Sequence, residues 1–213
     1  MSRIQDFIHS VFRGKTLRRI VFNWKLEEWC KDFHGVVLDL GAGSNQSYRK
    51  WLPKDAELIT TDIEEKDGVQ MVDLNKKLPF EDNSIDIATL FFTLYILDDN
   101  AETLREIKRV LKSGGKLYLS TPLIAAEIPE PHDYCRLTYE GLERLFKNVG
   151  FSEYHIERVG GRASSAAIIL DPLMMFNIIR LFVFSFCLFI DRITKKQDTH
   201  HPVPHTYFCV LVK

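Results

Sequence analysis

At 213 residues, 46% hydrophobic and 27% charged, the chain is long enough for one α/β domain with additions and too apolar to stay disordered. Its formal net charge of −1 provides no global field for nucleic acid. Cys30, Cys135, Cys187 and Cys209 lack a C-x-x-C spacing, which argues against a disulfide framework or a zinc site and for a reducing, cytoplasmic setting.

The first 25 residues hold Arg3, Arg13, Lys15, Arg18, Arg19 and Lys25 against Asp6 alone, a local excess of +5. These charges interrupt any apolar stretch that a secretory signal would need. Ile4, Phe7, Ile8, Val11 and Phe12 recur at helical spacing, so the segment is predicted as a basic amphipathic helical region. From residue 35 to about 160, strand-like and helix-like stretches alternate. Val36–Leu40, Glu57–Thr61, Val69–Val72, Ile85–Phe92 and Lys116–Thr121 are predicted strands. Ala101–Leu111 has helical spacing, with Ser113-Gly114-Gly115 expected as its left-handed cap. Thr138 is the expected N-cap of a helix that turns Leu142, Leu145, Phe146 and Val149 inward and ends at Gly150. Tyr154–Val159 and Tyr207–Val212 complete the strands. Such alternation implies right-handed βαβ units and a mainly parallel sheet.

Ligands of parallel sheets bind beyond the carboxyl ends of the strands, so the residues following each strand carry the chemistry. Gly41-Ala42-Gly43 follows the first strand and permits a tight turn close to a ligand. Gln46 stands where a dinucleotide fingerprint would place a third glycine, which weighs against a pyrophosphate on the helix N-terminus. Asp62 ends the second strand, where a carboxylate can accept both ribose hydroxyl protons. Asp73-Leu74 follows the third, where a carboxylate would meet an adenine amino group. Each has a plainer use, as a turn glycine, a helix cap or a turn aspartate.

Taken together, VLDLGAGS, TTDI, VDLNKKLPFEDNSIDI, LREIKRVLKSGGKLYLSTP and GLERLFKNVGF resemble, in order and spacing, the class I S-adenosylmethionine (SAM)-dependent methyltransferases. The resemblance covers roughly residues 35–160 and the last strand. It implies a Rossmann-like α/β fold, a seven-stranded, mainly parallel sheet with an antiparallel last strand, and SAM as cofactor. By that resemblance Gly41, Ala42 and Gly43 lie under the methionine moiety, and Asp39 organises the loop or meets the cofactor's ammonium group. Asp62, with Ile63 beside it, holds the ribose, and Asp73 and Leu74 frame the adenine. Leu90, Phe91 and Phe92 wall the sulfonium side. Where an acidic-histidine pair often follows the fourth strand, this chain has Leu94-Tyr95-Ile96-Leu97.

The acceptor side is expected in Glu130-Pro131-His132-Asp133-Tyr134-Cys135-Arg136-Leu137-Thr138, which resembles the P-H-D-Y-x-R-x-T segment of a methyltransferase subgroup. Either His132 acts as a base with Asp133 fixing its tautomer, or His132 and Tyr134 only shape the pocket. Arg136 either pairs an anionic group of the acceptor or forms a structural pair with Asp133. Tyr48 and Tyr95 are further pocket candidates. The histidines of His200-His201-Pro202-Val203-Pro204-His205 are read as a solvated linker, not a metal site.

The predicted organisation is 1–30, basic amphipathic helices; 31–160, SAM-binding core; 161–205, apolar helical insertion; and 206–213, last strand. If Leu173–Asp191 is one helix, Asn177, Arg180 and Asp191 share a face about 60° wide and the rest is apolar. No charge-free run reaches the roughly 20 residues of a membrane-spanning helix. Peripheral contact with an anionic membrane through 1–25 and 166–190, a lid over the substrate pocket, or a homodimer interface are the uses open to these surfaces. The functional expectation is methyl transfer to a small-molecule or lipid- or saccharide-linked acceptor. The alternatives are an NAD-dependent oxidoreductase or epimerase, and a non-catalytic SAM-fold protein that binds a membrane or partner.

Overall fold

The computed structural model describes residues 2–43, 47–64, 67–129, 132–194 and 200–213. The strands are β1 (Val36–Leu40), β2 (Glu57–Asp62), β3 (Gln70–Met71), β4 (Ile85–Phe91), β5 (Leu111–Pro122), β6 (Glu153–Val159) and β7 (Thr206–Val212). They form one sheet in the order β3-β2-β1-β4-β5-β7-β6. β1 pairs in parallel with β2 and β4, β2 with β3, and β4 with β5. β7 runs antiparallel to β5: Gly114 N donates to Lys213 O at one end, and Leu123 N to His205 O at the other. This is the predicted Rossmann-like α/β sheet.

The helices are α1 (Arg3–Phe12), α2 (Leu17–Trp29), α3 (Asn100–Val110), α4 (Tyr139–Val149), α5 (Arg162–Leu170) and α6 (Asn177–Thr194). Residues 27–122, 127–157 and 207–213 form one compact unit; residues 1–26, 123–126 and 158–206 form another. The predicted N-terminal helices and apolar insertion thus share a unit for most of their length.

In the sheet unit, Leu38, Leu40, Ile87, Leu90, Leu117 and Leu119 are fully buried, as strands covered on both faces require. Trp29 sets its edge against Tyr118 and Phe208, with ring centroids 5.2 and 5.4 Å away. Asp99 caps α3 by accepting from Ala101 N and Glu102 N. Thr138 and the left-handed Gly150 delimit α4, as expected.

Ser113-Gly114-Gly115 does not cap α3. The helix ends at Val110, Leu111 is already extended (ψ 140°), and the glycines lie within β5. Between Ile85↔Leu111 and Ile87↔Lys116, β4 advances two residues while β5 advances five, so the surplus bulges out. A Cβ at Gly115 would lie 2.9 Å from Lys112 O and 3.0 Å from Asp86 O, which accounts for the glycine.

In the helical unit, Phe7, Val11, Leu17, Ile20, Ala167 and Phe184 form the core. The apolar insertion is not one helix from Leu173. α5 ends at Leu170, a 3₁₀ turn at Asp171–Leu173 follows, and α6 begins at Asn177. Asn177, Arg180 and Asp191 do share one face, and all three are spent inside the unit. Asn177 donates to Phe12 O, and Arg180 pairs with Asp171 at 2.8 Å. Asp191 accepts from Gly161 N, Ala163 N and Ser164 N at the N-terminus of α5.

The solvated-linker reading holds only as far as Pro202. Pro204 and His205 are buried, and His205 Nδ1 lies 2.9 Å from Thr206 Oγ1. Burial first, then the nearby Arg18 charge, lowers the His205 pKa from its usual 6.5 to about 3. No helix among the described residues is long and apolar enough to cross a membrane.

Candidate cofactor cleft and acceptor loop

The register of the sheet builds the floor of the site. Asp39 on β1 stands opposite Thr60 on β2 and Thr89 on β4. Its carboxylate accepts from Thr89 Oγ1 at 2.6 Å and from the Tyr48 hydroxyl. Thr61 Oγ1 donates to the Asp39 carbonyl at 3.0 Å. Only 2% exposed, Asp39 has its pKa raised by burial, opposed by the Thr89 and Tyr48 hydrogen bonds. It ties three segments together under the glycine turn and does not face the cleft. Tyr48, a pocket candidate by sequence, is buried on this same carboxylate.

Gly41 and Gly43 both have positive φ, 71° and 59°. A Cβ at Gly41 would lie 2.8 Å from Thr93 Oγ1, so a side chain there would fill the space between the first and fourth strand ends. Ala42 N donates to Thr61 O, and Gly43 N to Asp62 Oδ2 at 2.8 Å. The loop therefore closes on the carboxylate that ends β2. Ser44, Asn45 and Gln46 lie outside the described residues, so the expectation placed on Gln46 has no structural counterpart here.

A cleft of about 290 Å³ opens at these strand ends, lined by Gly41, Asp62, Ile63, Val72, Asp73, Leu74, Asn75, Thr93, Ile96, Leu97 and His132. It brings together five of the predicted cofactor residues and the candidate base. Asp73 is also a turn aspartate: Asn75 N donates to it at 3.0 Å, and Lys76 pairs with it at 3.0 Å. The Lys76 hydrogen bond, followed by that of Asn75, holds its pKa below the usual carboxylate value.

Leu90, Phe91 and Phe92 do not line the cleft. Leu90 is fully buried in the sheet, and Phe91 stacks on Trp29 with centroids 6.0 Å apart. Phe92 takes a left-handed φ of 53°, which redirects the chain so that Thr93, Ile96 and Leu97 form the wall instead. Thr93, Val72 and Asn75 were not singled out by sequence. Their signal was their position immediately beyond β4 and β3. From the stretch Leu94-Tyr95-Ile96-Leu97, Ile96 and Leu97 supply apolar lining.

Glu130 and Pro131 lie outside the described residues. His132 reaches the cleft and stacks on Tyr134, with centroids 5.0 Å apart and planes 19° from parallel. Asp133 does not orient His132. Its carboxylate is taken by the Arg136 guanidinium, which lowers its pKa, and by Ile128 N at 3.0 Å. Arg136 in turn lies over the Tyr95 ring at 4.5 Å, and Tyr134 N donates to Tyr95 O at 2.9 Å. Tyr134 is half exposed; a hydrogen bond to Asp98 raises its pKa. Asp133, Arg136 and Tyr95 thus clamp the loop to the turn after β4, and His132 is the group presented to the cleft. No cluster of metal-ligating side chains occurs among the described residues.

Residues 38–119, from within β1 to within β5, match the family model of a methyltransferase domain. The matched residues include Gly41, Asp62, Ile63, Asp73 and Leu74, which line the cleft. The demethylmenaquinone methyltransferase of Lactiplantibacillus plantarum is 32% identical over 119 residues, covering 42% of this chain and 50% of that enzyme. The chain spans about half or less of the length of the curated relatives it matches. A SAM-dependent methyltransferase from Archaeoglobus fulgidus shares the fold over 96% of this chain and 97% of its own, with a TM-score of 0.62 and 19% identity. The cyclase SpnF also shares it, with a TM-score of 0.55 and 17% identity over 88% of this chain and 80% of its own.

Proposed function

We propose that the protein transfers a methyl group from S-adenosylmethionine to a small-molecule acceptor, either free or linked to a lipid or saccharide. The observation that carries this reading is the convergence of Gly41, Asp62, Asp73-Leu74 and His132 on one cleft. Because the same fold serves a cyclase, the reading rests on this constellation and on the domain match, not on the fold. The name of the Lactiplantibacillus plantarum relative points to a quinone-like acceptor.

The site chemistry fits the cofactor: a carboxylate at the β2 end for a ribose diol, apolar side chains for adenine, and a glycine turn with no Cβ in the way. When bound, the cofactor supplies an electrophilic methyl on a sulfonium. Asp62 holds the ribose hydroxyls and Asp73 accepts from the adenine amino group. Ile63, Leu74, Ile96 and Leu97 exclude water around it, which favours transfer by positioning and desolvation. His132 takes the acceptor's proton on an imidazole nitrogen, while the Asp133–Arg136 pair keeps its loop in place.

The test is incubation of the full chain with methyl-labelled SAM and a cell extract, followed by fractionation. Label is expected in a low-molecular-weight fraction, and His132→Ala is expected to reduce the rate about 10²-fold or more while SAM binding persists. SAM binding without labelling of any fraction would contradict methyl transfer. An unchanged rate in the variant would remove His132 as the base.

A further inference from the structure

α6 is amphipathic in the reverse sense. Three of its polar residues, Asn177, Arg180 and Asp191, point inward and are consumed by Phe12 O, Asp171 and the N-terminus of α5. Its outward face carries Ile178, Ile179, Phe182, Phe186, Phe189 and Ile193, each 45–69% exposed. At about 100° per residue these six fall within an arc of roughly 100°, which is the width of a helix face made for burial. The same unit exposes Leu173, Met175 and Phe176 on the turn leading into α6, at 76%, 86% and 63%. α1 adds Ile4, Ile8 and Phe12, spaced four residues apart on its exposed side. Water is a poor neighbour for so large an apolar surface, and a monomeric soluble protein rarely retains one without a use for it.

Charge identifies what covers it. Among the described residues of this unit, ten Lys/Arg stand against three Asp/Glu, a formal charge of +7. The described residues of the sheet unit hold fifteen against twenty-three, or −8. The three acidic groups among the described residues of the helical unit are engaged within it: Asp6 accepts from Trp24 Nε1, Asp171 pairs with Arg180, and Asp191 caps α5. Arg13 and Arg192 lie exposed at the C-terminal ends of α1 and α6. An apolar face on a strongly cationic unit fits a surface that is apolar inside and anionic outside. A second copy of the chain fits poorly, since a two-fold dimer on this face would bring two units of like charge together.

We propose that the helical unit docks on an anionic phospholipid bilayer, with the outward face of α6 and the Leu173–Phe176 turn seated in the interface and the surrounding arginines on the headgroups. The helix lies in the plane of the interface and does not cross it. Docking needs neither SAM nor an acceptor, so it stands or falls separately from methyl transfer.

The test is co-sedimentation of the full chain with vesicles of equal parts phosphatidylglycerol and phosphatidylcholine, and with phosphatidylcholine alone, at low ionic strength. The protein is expected to pellet with the anionic vesicles and to do so at least about tenfold less with the neutral ones. Phe182→Ser with Phe186→Ser, at positions 69% and 64% exposed, is expected to abolish pelleting while leaving the thermal unfolding midpoint and SAM affinity unchanged. Arg13→Glu with Arg192→Glu is expected to lower anionic binding about tenfold with the apolar face intact. Wild-type protein that stays in the supernatant with anionic vesicles overturns the proposal. So does a stable dimer, by light scattering, that dissociates in the Phe182/Phe186 variant and leaves vesicles unbound.

Discussion

Asp62 anchors the glycine turn through Gly43 N and lines the cleft, where the proposed function sets its carboxylate against the ribose. Removing it costs the equivalent of one hydrogen bond to a charged acceptor, about 1.5–3 kcal/mol. Asp62→Ala is therefore expected to weaken SAM binding roughly tenfold to a hundredfold in a calorimetric titration. Unchanged affinity would detach Asp62 from the cofactor. This residue was legible because parallel-sheet topology fixes what the end of β2 faces, and the same holds for Gly41 and Asp73. Leu90–Phe92 were not legible in the same way. Whether a residue at a strand end turns to the cleft or the core depends on the local backbone, and Phe92's positive φ moves the lining onward to Thr93. The partnership of Asp133 was equally hidden, since only the folded loop shows Arg136 occupying it and His132 left free of it.

Among the elements, α5 depends on a partner 30 residues away. Three of its N-terminal amide donors, Gly161 N, Ala163 N and Ser164 N, are satisfied by Asp191 on α6. Asp191→Ala is expected to destabilise the protein by about 1–2 kcal/mol, read as a lower urea midpoint at unchanged m-value. A midpoint equal to wild type would mean that water replaces the carboxylate at no cost. The residue just before β7 has its own sensitivity. His205 is neutral in the fold, with its pKa depressed to about 3 from 6.5. Its contribution to stability is whole above about 6.5 and is lost as pH falls toward about 3, at up to about 1.4 kcal/mol per pH unit. Between pH 7 and 5, above the range of most carboxylates, wild type is expected to lose more unfolding free energy than His205→Gln. Parallel slopes in denaturant titrations at the two pH values would contradict this. The strands and the helices α3 and α4 were legible from periodicity, and both ends of α4 from their cap signals. The bulge that places Ser113-Gly114-Gly115 inside β5 was not, because a helix-ending glycine pair and a strand bulge have the same composition. The burial of His205 was also hidden: Pro202 and Pro204 read as linker, and only the packing against Gly160 closes the site.

At the scale of the molecule, a net charge of −1 conceals two units of opposite sign, and the mean composition conceals where the apolar surface lies. The sequence exposed the excess of cations at the N-terminus and the apolar run near the C-terminus. Their sharing of one unit is a tertiary fact that neither segment announces. The acidic unit holds the cleft, and everything proposed for the protein's chemistry depends on what that cleft binds. The most direct test is calorimetric titration of the full chain with S-adenosylmethionine and, separately, with NAD. Saturable SAM binding at one site, lost or strongly weakened in Asp62→Ala, with no NAD signal, is the predicted result. Tight NAD binding with no heat from SAM would contradict the account.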